Sequence, residues 1–310
     1  MDARSTIDHD LGLLLKGRPD TKGTIFRAVI LSALLFSLLI LTVLLYQVIT
    51  DGWAVLSTRF GDFIGSGLRS DAEDAGIKQG LLGTFWLALI TAIVAFPLGI
   101  GAAIYLEEYA TPSRLTSFID INIRNLAGVP SVVYGILGLS IFVRRAGSLT
   151  GGATPLAAGL TLAALVLPVV IITSAESIRS VPQPLREAGY GVGATKWEVT
   201  RHHVLPYAAP GILTGTLLSL ARAAGEAAPL LLVGAVTGRL GSRYELWDFD
   251  QLRQRFTAMP IIITSWTKQP QEGFRVDNAA AAIVMLVLFV LLLNTAAIVL
   301  RSRFERKRGM

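Results

Sequence analysis

Six stretches of the chain stay apolar for roughly the length of a membrane crossing. They lie at about residues 28–50, 81–106, 125–143, 156–175, 211–237 and 278–300. A helix that crosses the hydrocarbon core needs about 20 such residues. Five of the runs contain no charged residue, and 211–237 contains only Arg222 and Glu226. A transmembrane β-barrel would show segments of about ten residues with alternating hydrophobicity, and these runs do not alternate. The pattern predicts an all-α, polytopic membrane protein with six transmembrane helices and a spanning domain over residues 28–300. The polar segment 1–27, and the length of the apolar run behind it, do not fit a cleaved signal peptide. That run is expected to be a retained first span.

Two connecting segments are long. Residues 51–80 include DAEDAGIK, a solvated acidic patch, and residues 238–277 include FTAMPIIITSW. The second stretch is apolar but too short to span, and Pro260 interrupts it. It reads as a re-entrant or surface-packed piece. The loop around it is either an ordinary exported connection or a docking surface for an external partner. Pro97, Pro130, Pro168 and Pro229 fall within the apolar runs. Each removes a backbone hydrogen bond and marks a place for a bend.

Composition strengthens the membrane reading, because only 16% of residues are charged against about 25% in ordinary soluble domains. The net charge of +6 does not call for nucleic acid, since the basic residues sit in short segments beside apolar runs. That distribution follows the positive-inside bias. Residues 1–27 and 301–310 each hold five Lys and Arg, and the tail RSRFERKR abuts the last span. Both termini are therefore expected in the cytoplasm. Segment 184–206 then faces the cytoplasm and loop 238–277 faces outward. The chain has no cysteine, which excludes disulfides, thiolate metal sites and thiol nucleophiles.

The cytoplasmic segment 184–206 is polar and rich in glycine, between two of the most apolar parts of the chain. Pro184 can start a helix, because a proline in the first turn forfeits no hydrogen bond. Gly189, Gly191 and Gly193 weaken that helix by up to about 1 kcal/mol each. A second piece, ATKWEVTRHHV, runs to Leu205 and Pro206. Two short helices around a glycine hinge are predicted. The residues alone leave two readings: an amphipathic helix resting on headgroups through Lys196, Trp197 and Arg201, or a helix whose small residues admit another backbone.

Arg222 and Glu226 fall near the middle of the fifth run. Each charge at bilayer centre costs at least about 2.5 kcal/mol on insertion scales. Residues i and i+4 share a helix face, so the two can pair. They are either a structural ion pair or part of a substrate pathway. Arginine's planar fork of donors suits phosphate and other oxyanions. Other chemistries find less support. No G-x-x-x-x-G-K-[ST] occurs, so the chain is not expected to bind ATP itself. His202 and His203 are adjacent and lack a third ligand for zinc. Ser131 and Tyr134 lie in a span, but the spans offer no histidine or lysine to act as base for an intramembrane protease.

Glu187-Ala188-Gly189, then Gly193, then Leu205-Pro206 resembles the EAA loop of bacterial ABC-importer permeases, whose pattern is E-A-A, three residues, G, nine residues, I-x-L-P. The spacing agrees throughout. Gly189 replaces the second alanine, and His203 stands where an aliphatic residue is usual. Three further stretches, LLGTFWLALITAIVAFPLGIGAAIYLEEYA, NLAGVPSVVYGILGL and ARAAGEAAPLL, are similar to spans of the phosphate-specific permeases. The resemblance covers most of residues 80–300. It implies the type I importer permease fold and an ATP-driven importer for inorganic phosphate. It also implies a sister permease, two copies of an ATPase that binds ATP and Mg, and an external phosphate-binding protein. On it, Glu187, Ala188, Gly189, Gly193, Leu205 and Pro206 couple the chain to the ATPase, while Arg222 and Glu226 line the substrate pathway. The coupling loop is common to importers of many substrates, so sulfate or molybdate stays open as the oxyanion.

Overall fold

The computed structural model describes residues 21–237 and 249–306. Most of the expected cytoplasmic tail 1–27, part of loop 238–277 and the last residues of tail 301–310 lie outside the described residues. The described residues contain helices and no strand. Five helices among them are long and apolar enough to cross a membrane, or six if one sharply bent pair counts as a span. The chain divides into two compact units, residues 1–50 and 51–310.

Helix α1 (Thr21–Thr58) runs beyond the apolar stretch at both ends. It is about 57 Å long at 1.5 Å per residue, well past a hydrocarbon core of about 30 Å. Within residues 28–50 it carries no charge. The hydroxyls of Ser32, Thr42 and Thr50 donate to carbonyls of the preceding turn. Backbone and hydroxyls are thus satisfied within the helix, as a lipid environment demands.

In the second unit, the last turns of α1 lead through Arg59 to α2 (Phe60–Gly65). Arg59 donates to the carbonyls of Ala72, Glu73 and Ala75 and to Asn278 Oδ1, and its guanidinium lies over the Phe63 ring. Burial pushes the Arg59 pKa below its usual value, while Asp74, Glu73, Asp62 and Asp277 oppose that shift. The loop 66–77 is folded around this one cation.

Helix α3 (Lys78–Ile104) continues as a π turn to Tyr109. Helices α4 (Arg114–Ala127) and α5 (Ser131–Gly138), the latter extended by a π turn to Arg145, meet at 101°. The expected third span, 125–143, is broken at Pro130, one of the four prolines read as places for a bend. Gly128 caps α4, and Val129 precedes Pro130, which disfavours helical backbone. The Tyr134 hydroxyl donates to the Leu126 carbonyl (3.0 Å) and braces the bend.

A short turn, α6 (Gly147–Thr150), precedes α7 (Pro155–Arg179), which is capped by Thr154. Helix α7 packs along α3 at the centre of the unit. Small residues permit that contact: a Cβ at Gly159 would lie 2.6 Å from Ile90 Cγ2, and one at Gly99 2.5 Å from Val170 Cγ1. Close backbone approach at small residues is the common means of helix association in lipid. Pro97 and Pro168 stay inside α3 and α7.

The polar connection holds α8 (Gln183–Gly191) and α9 (Lys196–Val199), and a π turn, Thr200–Val204, leads into α10 (Leu205–Ala224). The expected fifth span, 211–237, differs in both bounds. The continuous helix begins at Lys196, so the second piece of the hinged loop is the entry to the span. It ends at Ala224, and a separate turn, α11 (Ala228–Val233), follows Gly225. Pro229 lies in the first turn of α11, where it needs no N–H partner.

FTAMPIIITSW forms α12 (Met259–Trp266), whose Met259, Pro260, Ile261, Ile262 and Trp266 are buried. It packs against α3, where Thr84 Oγ1 accepts the Met259 N–H at 2.9 Å. It also packs against α13 (Ala279–Arg306), the final helix, entered through a π turn at Gly273–Asn278. Two apolar clusters mark the ends of α3. Phe63, Ile77, Met259 and Trp266 lie in one. Ala103, Ile178, Val199 and Val204 lie in the other.

Candidate functional site

The glycines of the polar connection do three different things. Gly189 is buried, and a Cβ there would lie 2.8 Å from Val199 Cγ2, so α8 rests directly on α9. Gly193 has a φ of +86°, in the left-handed region that glycine adopts without strain. Gly191 is helical and faces open space. After the turn, a capping box starts α9. Thr195 Oγ1 accepts the Glu198 N–H (3.4 Å), and Glu198 Oε2 accepts the Thr195 N–H (2.8 Å).

The six predicted coupling residues therefore separate. Gly189 and the half-buried Leu205 pack within the segment, whereas Glu187, Ala188, Gly193 and Pro206 are exposed, Gly193 serving as the turn. Beside them the structure exposes three large apolar side chains, Tyr190, Val192 and Trp197; Val192 is 84% accessible. In the sequence Trp197 stands out only under the headgroup alternative, and Tyr190 and Val192 not at all. Their exposure beside the turn at Gly193 is a property of the folded segment and has no signature in the local sequence.

Sequence reasoning also missed Glu107 and Glu108. Glu107 pairs with Arg179, and Glu108 pairs with Arg186 at 2.9 Å. The first joins the turn after α3 to the end of α7, and the second joins it to α8 of the polar connection. The only signal in the sequence was two acidic residues directly after an apolar run, which does not name a partner more than 70 positions away.

Arg222 occupies the last turn of α10, where a cation complements the carbonyl end of the helix. Glu226 lies past the helix end, and its N–H donates to the Ala223 carbonyl. The predicted pair is brought together, with Arg222 Nε 3.7 Å from Glu226 Oε1. That is an ion pair at longer than hydrogen-bond distance. Its side chains are unequally covered: 67% of Arg222 is accessible and 21% of Glu226.

Arg222 borders a cleft of about 20 Å³ with Ser131, Tyr134 and Ser219, where the bent third span approaches α10. That volume admits a water, which requires about 10–15 Å³, and is too small for an oxyanion. The arrangement holds a planar, loosely tethered donor at the edge of an apolar helix and leaves it reachable. Close packing positions it: a Cβ at Gly135 would lie 2.8 Å from Pro229 Cα, so α5 is pressed against α11 immediately after the Arg222–Glu226 pair.

Residues 95–309 match the family described as binding-protein-dependent transport system inner membrane component. A phosphate transport system permease protein, PstA 1, of Mycobacterium tuberculosis is 34% identical over 296 residues, covering 93% of this chain and 90% of that protein. The Yersinia pestis phosphate transport system permease protein PstA is 31% identical, covering 90% of this chain and 88% of its own length. The probable ABC transporter permease protein YqgI of Bacillus subtilis is 33% identical over 83% of this chain and 87% of its own. Among solved structures, a bacterial ABC transporter involved in importing the acidic polysaccharide alginate superposes with a TM-score of 0.57. The identity is 13%, over 90% of this chain and 99% of that one. An inward-facing methionine ABC transporter, MetNI, gives a TM-score of 0.54 at 17% identity, over 74% and 94%. At these identities the two structures speak for the fold.

Proposed function

The chain belongs to the family of binding-protein-dependent transport system inner membrane components, and from that premise we propose that it is the permease subunit of an ATP-driven inorganic phosphate importer. One observation carries the substrate: an accessible guanidinium, Arg222, at the end of an apolar helix in a chain about one-third identical to phosphate permeases. A guanidinium facing lipid would be costly. One facing an aqueous path shared with a sister permease can bind a tetrahedral oxyanion through parallel N–H donors. Glu226 holds the fork in position without a tight hydrogen bond, so an anion can displace it.

In this reading the protein is a multi-pass component of the bacterial cytoplasmic membrane, with both termini inside. An external binding protein delivers phosphate to an outward-facing cavity between this chain and its sister. Two copies of an ATPase subunit bind ATP and Mg; this chain supplies no nucleotide site. Closure of the ATPase dimer pushes on the segment 184–206, whose exposed Glu187, Ala188, Tyr190, Val192 and Trp197 form the docking face. The motion passes into α10 because α9 and α10 are one continuous helix. The test is uptake of labelled phosphate by cells lacking their own importer that express this chain with its partners. Uptake that excess sulfate and molybdate leave unchanged is expected. An assembled complex that moves sulfate or molybdate and ignores phosphate would overturn the substrate.

A further inference from the structure

Three consecutive residues in the turn after α3 hold the end of α7 and two parts of the coupling segment. The Glu107 carboxylate accepts from Arg179 Nε (3.2 Å) and Nη2, at the end of α7 where the segment begins. Glu108 Oε1 accepts from Arg186 Nε (3.2 Å) and Nη2 (2.9 Å), within α8. The Tyr109 ring lies 5.3 Å from Lys196 Nζ, at the start of α9. All three belong to the π turn Tyr105–Tyr109. Such turns are uncommon and cluster at functional sites.

The central contact is the least accessible to water: 4% of the Glu108 side chain and 14% of the Arg186 side chain remain exposed. Arg186 also donates through Nη1 to the Val181 carbonyl (2.6 Å) and through Nη2 to the Ile178 carbonyl (2.9 Å). One guanidinium thus joins the end of α3, the end of α7 and the body of α8. It immediately precedes Glu187-Ala188-Gly189. Arg179–Glu107 is more exposed on the arginine side, and the Lys196–Tyr109 contact lies beside the exposed face. These two flank the buried pair.

We propose that Glu108 and Arg186 are positioning residues of the coupling step, locking α8 to α3 so that the two move as one body. The mechanical problem is specific. Segment 184–206 contains a glycine turn at Gly193, and a turn in a lever absorbs displacement. A push on α8 therefore reaches α10 only across the packing of Gly189 on Val199, because the chain between α8 and α9 turns at Gly193. The Glu108–Arg186 pair provides a second route that bypasses the turn and delivers the push to α3, the helix packed against α7 at the centre of the unit. The inference rests on the coupling role proposed above.

The test uses the whole reconstituted complex with its binding protein. Glu108→Gln removes the charge at constant shape, and Arg186→Lys keeps the charge while removing the fork and its carbonyl bonds. Three quantities are read: co-purification with the ATPase, phosphate moved per ATP hydrolysed, and the spacing between spin labels at the exposed Tyr105 and Gln183. In the wild type that spacing is expected to stay constant when ATP binds. In both variants the complex should co-purify, the spacing should change with ATP, and phosphate moved per ATP should fall, because displacement of α8 no longer moves α3. Unchanged spacing and unchanged phosphate per ATP in both single variants would overturn the proposal. So would loss of uptake in strict proportion to lost complex, which marks a purely structural pair. A wild type that hydrolyses ATP and moves no phosphate would refute the substrate instead; the label spacing then still decides the lock.

Discussion

The glycines at 189, 191 and 193 make a controlled experiment, because the structure gives each a different reason to be glycine. Consider alanine at each in turn. At 191 the backbone is helical and nothing lies within 4 Å of the added methyl. Alanine there recovers helix propensity and should stabilise the segment by about 0.5–1 kcal/mol. At 193 the surroundings are equally open, but φ is +86°. The cost is then purely conformational, about 1–2 kcal/mol for an L-residue in the left-handed region. At 189 the backbone is helical, yet the methyl would sit 2.8 Å from Val199 Cγ2. Val199 is fully buried and, being β-branched, cannot swing its methyl aside. Overpacking costs about 1–3 kcal/mol, partly offset by the same propensity gain as at 191. The assay is the thermal midpoint of the purified complex, together with labelled-phosphate uptake. Gly191→Ala should raise the midpoint slightly and leave uptake intact, and Gly193→Ala should lower both. Gly189→Ala should lower both less than Gly189→Val does, and Val199→Ala should rescue it, because the clash belongs to that pair. If Gly191→Ala is as damaging as Gly193→Ala, the conformational argument is wrong. If Val199→Ala fails to rescue Gly189→Ala, the packing argument is wrong.

Three further outcomes are expected. Arg222→Gln should abolish phosphate uptake while the complex still co-purifies with its ATPase, and Arg222→Lys should restore little because the planar fork is lost; normal uptake by Arg222→Gln would remove this residue from the pathway. Arg59→Gln should lower the thermal midpoint by an amount equivalent to about 1.5–3 kcal/mol, the range for one charged hydrogen bond, since it loses contacts to the carbonyls of Ala72, Glu73 and Ala75; a shift within error would mean loop 66–77 is held by other means. Asp71→Cys should react with an impermeant thiol reagent on intact cells, because the positive-inside bias puts loop 51–80 outside; labelling only after lysis would invert the orientation.

The helices themselves were legible along the chain. Lipid offers no partner for a backbone N–H or C=O, so a long uncharged run has one viable conformation, and local composition suffices to predict it. The EAA-like spacing was legible for a related reason: Gly193 and Pro206 are constraints on single residues and their neighbours. Effects that depend on packing were not. Four prolines looked equivalent in the sequence. Pro97 and Pro168 remain inside helices held by neighbours, Pro130 lies at a 101° bend, and Pro229 begins a new turn. Each removes a hydrogen bond, but whether the helix continues past it depends on what packs around it. Likewise, Arg222 and Glu226 were predicted to share one helix face; the helix ends between them, and the pair is held by the turn at Gly225.

The hydrophobic pattern thus determined by itself that this is an all-helical membrane protein with a polar segment set between spans. It also determined where one cation and one carboxylate interrupt the apolar runs. Only the tertiary structure decided that Glu108 meets Arg186, 78 positions later, and that Tyr190, Val192 and Trp197 are exposed beside the turn. The physical reason is range. Helix formation in an apolar run is set by neighbours within four residues, whereas the partner of a buried charge is chosen by which chain segments are brought together when the helices pack.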